Sequence, residues 1–265
     1  DESTDSGPSY PKNFVVNDKH RLLYCQVPKV ASTSWLRVFL VLAGVLSHAG
    51  QGKQSFVHRD ALHGLRTLDS YGPAQRRSIL AEYTRVLFVR NPYTRLLSAF
   101  RSKLDASLPG RQSRLWQGWL ARIRAYGGNQ TAGPGPGGGG SQTGKNTTAV
   151  TFGQFVRFVN DQANGVNKHW MSAKQLCQPC LVNYTFVGKM ETLEADAQYF
   201  LKSARIDGLV SLPGQAGSSP TNSSAARVVE DSYARVPKGD IQRMRIRYIW
   251  DFRLFGYSKP TDGLS

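Results

Sequence analysis

The chain has 265 residues, of which 40% are hydrophobic, so it is long enough to bury the core of an α/β domain. It contains 34 lysines and arginines against 18 aspartates and glutamates, which gives a formal net charge of +16. A field this basic attracts polyanions: nucleic acid, an anionic membrane, a phosphorylated cofactor or an acidic polysaccharide. Since no run of about 18 apolar residues occurs, no segment of this sequence is predicted to span a membrane.

The pattern along the chain alternates between strands and helices. Short apolar runs rich in strand formers predict strands at residues 21–27, 85–90 and 184–188. Helical periodicity and turn signals predict helices from Ser34 to about Ser47, over 58–82 with a break at Gly72-Pro73, from Pro92 to about Leu104, and over 151–160, 191–204 and 240–252. The alternation predicts a single α/β domain with a central parallel sheet flanked by helices.

The remaining segments are interpreted by composition. Residues 1–20 are interpreted as a loose lead-in, residues 21–258 as the domain, and residues 259–265 as a tail. Residues 127–148 are rich in glycine and are interpreted as a flexible surface loop within that domain. Residues 211–226, rich in serine, glycine, proline and asparagine, are interpreted as a second loop.

The first candidate site is the segment VPKVASTSW, residues 27–35. The segment is interpreted as a strand, a tight turn carrying Lys29, the hydroxyl residues Ser32, Thr33 and Ser34, and then a helix. This arrangement directs backbone N–H groups and the positive helix end toward an anion. The three hydroxyl residues are also good N-cap residues. The way in which this turn would bind an anion resembles that of a P-loop. However, the turn has no glycine and the Walker sequence motif is absent, which argues against a loop that binds ATP. An ordinary strand-to-helix connection with a surface lysine is the alternative.

The second candidate site is the segment RVLFVRNPYTRLLSAFRSK, residues 85–103. Arg90 ends the predicted strand, and Arg95, Arg101 and Lys103 add further positive charge. Ser98 and Arg101 are three residues apart and share a helix face. An arginine beside a helical serine suits a phosphate, because guanidinium binds phosphate in a bidentate manner. A basic, solvated helix face is the alternative.

Cysteines and sequons indicate the compartment. Four Asn-x-Ser/Thr sequons occur, at Asn129, Asn146, Asn183 and Asn222, and they predict a glycoprotein of the secretory pathway. The chain has three cysteines: Cys25, expected to be buried in a strand, and the Cys177–Cys180 pair of a CQPC motif. That pair could be a local disulfide, a redox pair or half of a metal site. With no second Cys-x-x-Cys and no histidine at ligand spacing, zinc is not expected.

At these places the sequence resembles a known family, the Golgi carbohydrate sulfotransferases. VPKVASTSW resembles their 5′-phosphosulfate-binding turn, and RNPYTRLLSAF resembles their 3′-phosphate-binding motif. Residues 167–196 (NKHWMSAKQLCQPCLVNYTFVGKMETLEAD) and 248–258 (YIWDFRLFGYS) resemble two further family segments. The details are most similar to the branch that includes chondroitin and dermatan 4-O-sulfotransferases, N-acetylgalactosamine 4-sulfotransferases and the HNK-1 sulfotransferase.

The resemblance implies a P-loop-like sulfotransferase architecture and the donor 3′-phosphoadenosine 5′-phosphosulfate. Lys29 is then expected to neutralise charge on the leaving oxygen, and Arg90 and Ser98 to hold the 3′-phosphate. No metal is expected, because the sulfuryl group carries less charge than a phosphoryl group and no acidic residue of Walker B type follows an apolar strand. The residues assigned to the donor are Pro28, Lys29, Val30, Ala31, Ser32, Thr33, Ser34, Arg90, Asn91, Pro92, Tyr93, Thr94, Arg95, Leu96, Leu97 and Ser98.

A general base must take the proton of the attacking hydroxyl, and histidine suits this role near neutral pH. The histidines are His20, His48, His58, His63 and His169. His169 is the favoured base because it lies in the family-like NKHW segment, with His63 and Glu191 as alternatives. Once the resemblance places the chain in an oxidising lumen, Cys177 and Cys180 are expected to form a local disulfide. Separate thiols, or a bond that involves Cys25, are the alternatives.

The acceptor implied by the resemblance is an anionic glycosaminoglycan or glycoprotein glycan, with no nucleic-acid partner. The 4-hydroxyl of N-acetylgalactosamine in chondroitin or dermatan is the first choice, and 3-O-sulfation of glucuronic acid is the alternative. The family usually has acidic residues where Asn91 and Thr185 stand, and often where Lys168 stands. These departures leave open a non-catalytic polyanion-binding module. The resemblance also implies the Golgi lumen, with a type II membrane anchor outside this chain.

Overall fold

A computed structural model describes residues 12–52, 56–57, 64–108, 116–128, 149–161, 167–214 and 221–258. The chain divides into two compact units. The first extends as far as Asn91 and resumes at Met171; the second comprises Pro92–Trp170 and the chain from Thr221 onward.

The helices and strands follow one another in an α/β order. The strands are β1 (Phe14–Asn17), β2 (Leu22–Cys25), β3 (Arg66–Thr67), β4 (Thr84–Val89) and β5 (Phe186–Lys189). The helices are α1 (Ser32–Leu42), α2 (Pro73–Glu82), α3 (Pro92–Lys103), α4 (Gln117–Gly128), α5 (Phe152–Asn160), α6 (Ala173–Cys177), α7 (Leu193–Ser203), α8 (Ala226–Tyr233), α9 (Lys238–Arg247) and α10 (Ile249–Leu254). In the part of the chain that the structure describes, no helix is long and apolar enough to cross a membrane.

The first unit is built on a five-stranded sheet with the order β3-β1-β2-β4-β5. Strand β4 pairs in parallel with β2 on one side and with β5 on the other, with Tyr24 opposite Val86 and Phe88 opposite Gly188. Strand β2 is apolar throughout, β4 is apolar from Val86 onward, and both are almost entirely buried, as expected for strands covered on both faces. The mixed α/β fold with a parallel sheet core is therefore confirmed.

An antiparallel edge completes the sheet, and it corrects two expectations. Strand β1 pairs antiparallel with β2 and with β3. Residues 14–17 are therefore wrongly assigned to a loose lead-in: the run FVVN is fully buried, although it is short and follows a polar segment. The helix predicted over 58–82 is also wrong between residues 64 and 72, where β3 is followed by a 3-10 turn at Leu68–Ser70.

Helix boundaries near the predicted breaks follow local chemistry. Helix α2 begins at Pro73, after an extended Gly72. Helix α5 begins after Thr151, whose hydroxyl accepts the Gln154 N–H, and its bounds agree with the predicted helix. The predicted closing helix is two helices, because the backbone at Tyr248 leaves the helical conformation between α9 and α10. Residues 58–63 and the glycine-rich segment from 129 to 148 lie outside the described residues.

Each unit has its own aromatic core. In the first, Trp35 of α1 stacks on Phe88 of β4 with ring centroids 4.3 Å apart, and Phe200 of α7 meets Trp35 edge-on. In the second, the Tyr233 hydroxyl donates to the Tyr93 carbonyl at 3.0 Å, so the polar end of this buried ring is satisfied. These cores fix the ends of β2, β4 and α3, where the candidate site residues lie.

Candidate functional site

The turn after β2 has an unusual backbone. Lys29 and Ala31 both lie in the left-handed region, with φ of 74° and 59°. For residues with a Cβ atom this conformation costs on the order of 1–2 kcal/mol each, and such strain is concentrated at functional sites. The turn therefore makes a tight reversal of the P-loop kind without any glycine.

Helix α1 begins immediately after this turn. Its N-cap is Ala31, whose side chain offers no acceptor for the first-turn N–H groups, and the helix starts at Ser32, two residues before the predicted start. The expected N-cap role of the three hydroxyl residues is therefore wrong, and Ser32, Thr33 and Ser34 form the first turn instead. Their N–H groups lie at the positive end of the helix, which is the arrangement that binds anionic groups.

Arg90 follows β4 directly and is 7% exposed. Its Nη1 donates a hydrogen bond to the Lys29 carbonyl at 3.1 Å. Because β2 and β4 are adjacent and parallel, their carboxyl ends lie at the same edge of the sheet. Arg90 and the turn at Lys29 thus come together in the first unit, where the guanidinium of Arg90 supports the strained main chain.

Glu191 lies at the same end of the sheet, just after β5. Its Oε1 accepts the backbone N–H of Asn91 at 2.9 Å. The sequence suggested Glu191 as an alternative base. The structure instead places its exposed carboxylate against the main chain beyond β4, and it fixes the segment that leads from Arg90 into α3.

Ser98 of α3 belongs to the second unit and is 3% exposed. Its Oγ lies 3.2 Å from Oγ1 of Thr221. Arg101, one turn further along α3, donates from Nε to the Thr221 carbonyl at 2.5 Å. Ser98 and Arg101 therefore share a helix face, as expected from their spacing. Thr221 was not anticipated, and its only signal in the sequence is the run of hydroxyl residues before α8.

Apart from the partly exposed Thr94, the other donor-motif residues on α3 are buried within the second unit. Tyr93, Leu96 and Leu97 are buried in its hydrophobic core, so their side chains hold the helix in place. Arg95 is 3% exposed and donates from Nη2 to the Lys168 carbonyl at 3.4 Å. Burial lowers the pKa of Arg95, and the charge of Asp251 acts in the opposite direction. Arg95 is thus a buried cation of the second unit, and its assignment to the donor stays a prediction.

His169, the favoured base, is partly exposed and lies in the second unit. Its backbone N–H donates to Oδ1 of Asn167 at 2.9 Å. Its ring meets Trp116 edge-on, with centroids 5.2 Å apart, and Nζ of Lys103 lies 5.3 Å from the centre of the same indole. His169 therefore stands in a basic and aromatic environment. The alternative His63 falls outside the described residues.

The cysteines form a different pair from the one expected. Cys25 and Cys177 are joined by a disulfide, and Cys180 is a free, exposed cysteine. The expected Cys177–Cys180 bond is therefore wrong, and the alternative that involves Cys25 is correct. The physical reason is packing: Asn13 donates to the Leu176 carbonyl at 3.1 Å, which holds α6 against the end of β2.

Two of the four sequons lie on the described surface: Asn183 and Asn222 are exposed, whereas Asn129 and Asn146 fall outside the described ranges. Among the residues that the structure describes, no group of three or more His, Cys, Asp or Glu side chains is arranged to hold a metal ion.

The first unit combines parallel strands, a strained turn that carries a lysine, and an arginine at the same edge of the sheet. These features are typical of α/β proteins that bind an anionic group at a strand–turn–helix junction. The chain belongs to the sulfotransferase family, whose model matches residues 12–258.

Three relatives illustrate the similarity. The chain is 34% identical to mouse carbohydrate sulfotransferase 8 over 261 residues, which cover 97% of this chain and 59% of the relative. It is 35% identical to mouse carbohydrate sulfotransferase 10 over 262 residues, covering 93% and 67%. It is 38% identical to mouse carbohydrate sulfotransferase 14 over 252 residues, covering 94% and 61%. The chain thus spans about 60% of the length of the first of these relatives. No solved structure matches it significantly.

Proposed function

We propose that this chain transfers the sulfuryl group of 3′-phosphoadenosine 5′-phosphosulfate to a sugar hydroxyl. The observation that carries the proposal is the turn at Lys29, held by Arg90 at the end of two parallel strands and followed at once by the first turn of α1. Membership of the sulfotransferase family and the names of the carbohydrate sulfotransferase relatives support the donor class and a carbohydrate acceptor.

The donor is assigned to residues of both motifs. In the first unit, backbone N–H groups and hydroxyls of Ser32, Thr33 and Ser34 hold the 5′-phosphate at the positive end of α1. Arg90 and Ser98 hold the 3′-phosphate through charge-assisted hydrogen bonds. The residues of each unit suit an anionic group: the first unit has a strained turn and the buried guanidinium of Arg90, and the second has the buried hydroxyl of Ser98.

Lys29 has the electrostatic role in transfer. The bond between sulfur and the oxygen that bridges it to phosphorus breaks as the bond from sulfur to the sugar oxygen forms. Negative charge develops on the bridging oxygen, and the ammonium group of Lys29 stabilises that charge more strongly in the transition state than in the ground state. Adenosine 3′,5′-bisphosphate leaves as the second product.

His169 is assigned as the general base that accepts the proton of the attacking hydroxyl. Imidazole is suited to this step near neutral pH. The aromatic contact with Trp116 limits the orientations open to the ring, and a ring of fixed orientation is a better base for one defined hydroxyl. The neighbouring Lys103 adds positive charge where an anionic sugar would approach.

The acceptor is assigned to the 4-hydroxyl of N-acetylgalactosamine in chondroitin or dermatan. The net charge of +16 suits an acidic polysaccharide, because long-range attraction raises the local concentration of a polyanion. The compartment is assigned to the Golgi lumen. The disulfide between Cys25 and Cys177 and the exposed sequons at Asn183 and Asn222 support an oxidising, glycosylating compartment.

The test is incorporation of radiolabelled sulfate from 3′-phosphoadenosine 5′-phosphosulfate into three acceptors: desulfated chondroitin, desulfated dermatan and a glucuronyl-terminated oligosaccharide. Disaccharide analysis of the products locates the label. We expect label at the 4-position of N-acetylgalactosamine. Label only on glucuronic acid would keep the activity and overturn the acceptor. Binding of all three acceptors with no incorporation would favour a polyanion-binding module instead.

A further inference from the structure

The hydroxyl groups of Ser98, Thr221 and Ser223 form a chain of hydrogen bonds beside α3. Oγ of Ser98 is 3.2 Å from Oγ1 of Thr221, which is 2.7 Å from Oγ of Ser223. Ser98 and Ser223 are almost completely buried, with exposures of 3% and 1%, whereas Thr221 is partly exposed. All three belong to the second unit. Hydroxyls joined in a chain of hydrogen bonds polarise one another, so each hydrogen bond strengthens the next.

The local sequence explains how the two hydroxyls of the Thr221–Ser223 segment reach the same helix. Asn222 lies in the left-handed region with φ of 50°, a conformation that asparagine adopts more readily than most residues. At this bend Asn222 is exposed, whereas Thr221 is partly buried and Ser223 is buried. Arg101 then fixes the segment by donating to the Thr221 carbonyl at 2.5 Å.

The positions of the hydroxyl protons decide which group donates and which accepts in each hydrogen bond of such a chain. Each serine or threonine hydroxyl has one proton to donate and can accept two hydrogen bonds. A phosphate oxygen only accepts, so a Ser98 that binds phosphate must donate its own proton to the anion. That state is favoured when Thr221 donates to the Ser98 oxygen and Ser223 donates to Thr221.

We propose that Thr221 is a positioning residue for Ser98 in the recognition of a 3′-phosphorylated nucleotide, with Ser223 completing the chain of hydroxyls. The inference rests on the proposed function, since it concerns the 3′-phosphate of the same donor. It assigns a role in nucleotide recognition to a segment that the sequence identified only as a loop and a sequon.

The test compares the dissociation constants of two probes by isothermal titration calorimetry: adenosine 3′,5′-bisphosphate and adenosine 5′-phosphate, which lacks the 3′-phosphate. Thr221→Val removes the hydroxyl with little change in shape. We expect it to weaken bisphosphate binding roughly three- to tenfold, as for loss of one hydrogen bond in a network, and to leave adenosine 5′-phosphate binding unchanged. Thr221→Ser restores the hydroxyl and should restore the preference.

The controls separate this role from a structural one. Ser232→Ala removes a hydroxyl of the same unit that donates to the Val228 carbonyl, and should leave both dissociation constants unchanged. In a Ser98→Ala background, Thr221→Val should have no further effect on bisphosphate binding, because residues that act through one another are not additive. Neither Thr221 variant changes the Asn222-Ser223-Ser224 sequon.

The outcomes are distinct. If the wild-type protein does not prefer the bisphosphate, the proposed donor is wrong. If the wild type prefers it and Thr221→Val keeps the full preference, Thr221 has no positioning role. Should Thr221→Val fail to fold, Ser223→Ala provides the same test, since it shortens the chain of hydroxyls by one. An unchanged preference in Ser223→Ala would then overturn the proposal, and a reduced preference would support it.

Discussion

Lys29 combines a left-handed backbone, with φ of 74°, and a cationic side chain in a turn that precedes a helix. Glycine would adopt this φ at lower cost, so lysine carries a backbone cost here, which agrees with the role proposed for its side chain. The Lys29 carbonyl is also held by Arg90. Since this contact is made to the main chain, a substitution can remove the charge of the side chain while the turn remains supported.

We predict that Lys29→Ala lowers kcat by about 10²- to 10³-fold, as expected when one electrostatic stabiliser of a transition state is removed. Steady-state kinetics with saturating donor measures the loss. Circular dichroism and the thermal midpoint should match the wild type, because the hydrogen bond from Arg90 is made to the backbone. Lys19→Ala, an exposed lysine of the same unit, is the matched control. A folded Lys29→Ala protein with wild-type turnover would remove Lys29 from the mechanism.

For His169→Gln we predict a fall in kcat of roughly 10²- to 10⁴-fold with an unchanged dissociation constant for adenosine 3′,5′-bisphosphate, since a base acts on the acceptor and not on the donor. Transfer assays and calorimetry measure the two quantities separately. His48→Gln, at an exposed histidine, should behave as the wild type. Most of the turnover surviving in His169→Gln would rule out this residue as the base.

At the scale of elements, the parallel strands β4 and β5 approach each other closely around one glycine. Gly188 lies opposite Phe88, and a Cβ atom at Gly188 would lie 2.3 Å from Cε1 of the phenylalanine ring. Phe88 is itself buried and stacks on Trp35 of α1. The phenylalanine ring therefore has little room to move, and the position of β4 in the sheet, with Arg90 at its end, depends on this contact.

Gly188→Ala should lower the free energy of unfolding by about 1–3 kcal/mol through overpacking. Urea denaturation followed by tryptophan fluorescence provides the measurement. The control is Gly208→Ala, where an added Cβ would meet nothing within 4 Å. Equal stability of the Gly188→Ala and Gly208→Ala proteins would contradict the close approach of β5 to Phe88.

The disulfide joins the end of β2 to α6 across a sequence separation of 152 residues. A crosslink that closes so long a loop restricts the unfolded chain strongly. We predict that the double substitution Cys25→Ala and Cys177→Ala lowers the free energy of unfolding by about 2–5 kcal/mol, and that Cys180→Ala changes it little. Non-reducing peptide mapping should recover the Cys25 peptide linked to the Cys177 peptide. A recovered Cys177–Cys180 link would refute the pairing.

At the scale of the whole molecule, charge is the dominant property. Lysine and arginine exceed aspartate and glutamate by 34 to 18. Attraction between this excess and an anionic glycan acts over distances comparable to the Debye length, about 8–10 Å near physiological ionic strength, and is screened by added salt. The charge therefore favours encounter with a polyanion without specifying which sugar is modified.

Raising sodium chloride from about 50 to about 200 mM should increase the KM for an anionic polysaccharide acceptor roughly fivefold, with little change in kcat, because screening weakens attraction before transfer occurs. Initial rates at several acceptor concentrations give both constants. An uncharged oligosaccharide ending in N-acetylgalactosamine is the control acceptor, and its KM should hardly vary. If the KM for the polysaccharide did not change with salt, the net charge would have no role in acceptor binding.

Much of the fold was predictable because its determinants are local. The apolar runs of β2 and β4, Pro92 at the start of α3 and the amphipathic pattern of α5 each act within a few residues, so the pattern alone located them. The strand–turn–helix at Lys29 and the arginine after β4 were identified for the same reason. The shared face of Ser98 and Arg101 followed from helical spacing.

Contacts between distant segments were decided only by the tertiary structure. Strand β1 is four residues long and gains its place through pairing with β2 and β3, which no local pattern reveals. Cys177 bonds to Cys25, 152 residues away, in preference to Cys180 three residues away, because packing brings α6 to the end of β2. Thr221 reaches Ser98 across 123 residues. The sequence by itself determined the local elements and their charges, whereas long-range packing decided which of those residues meet.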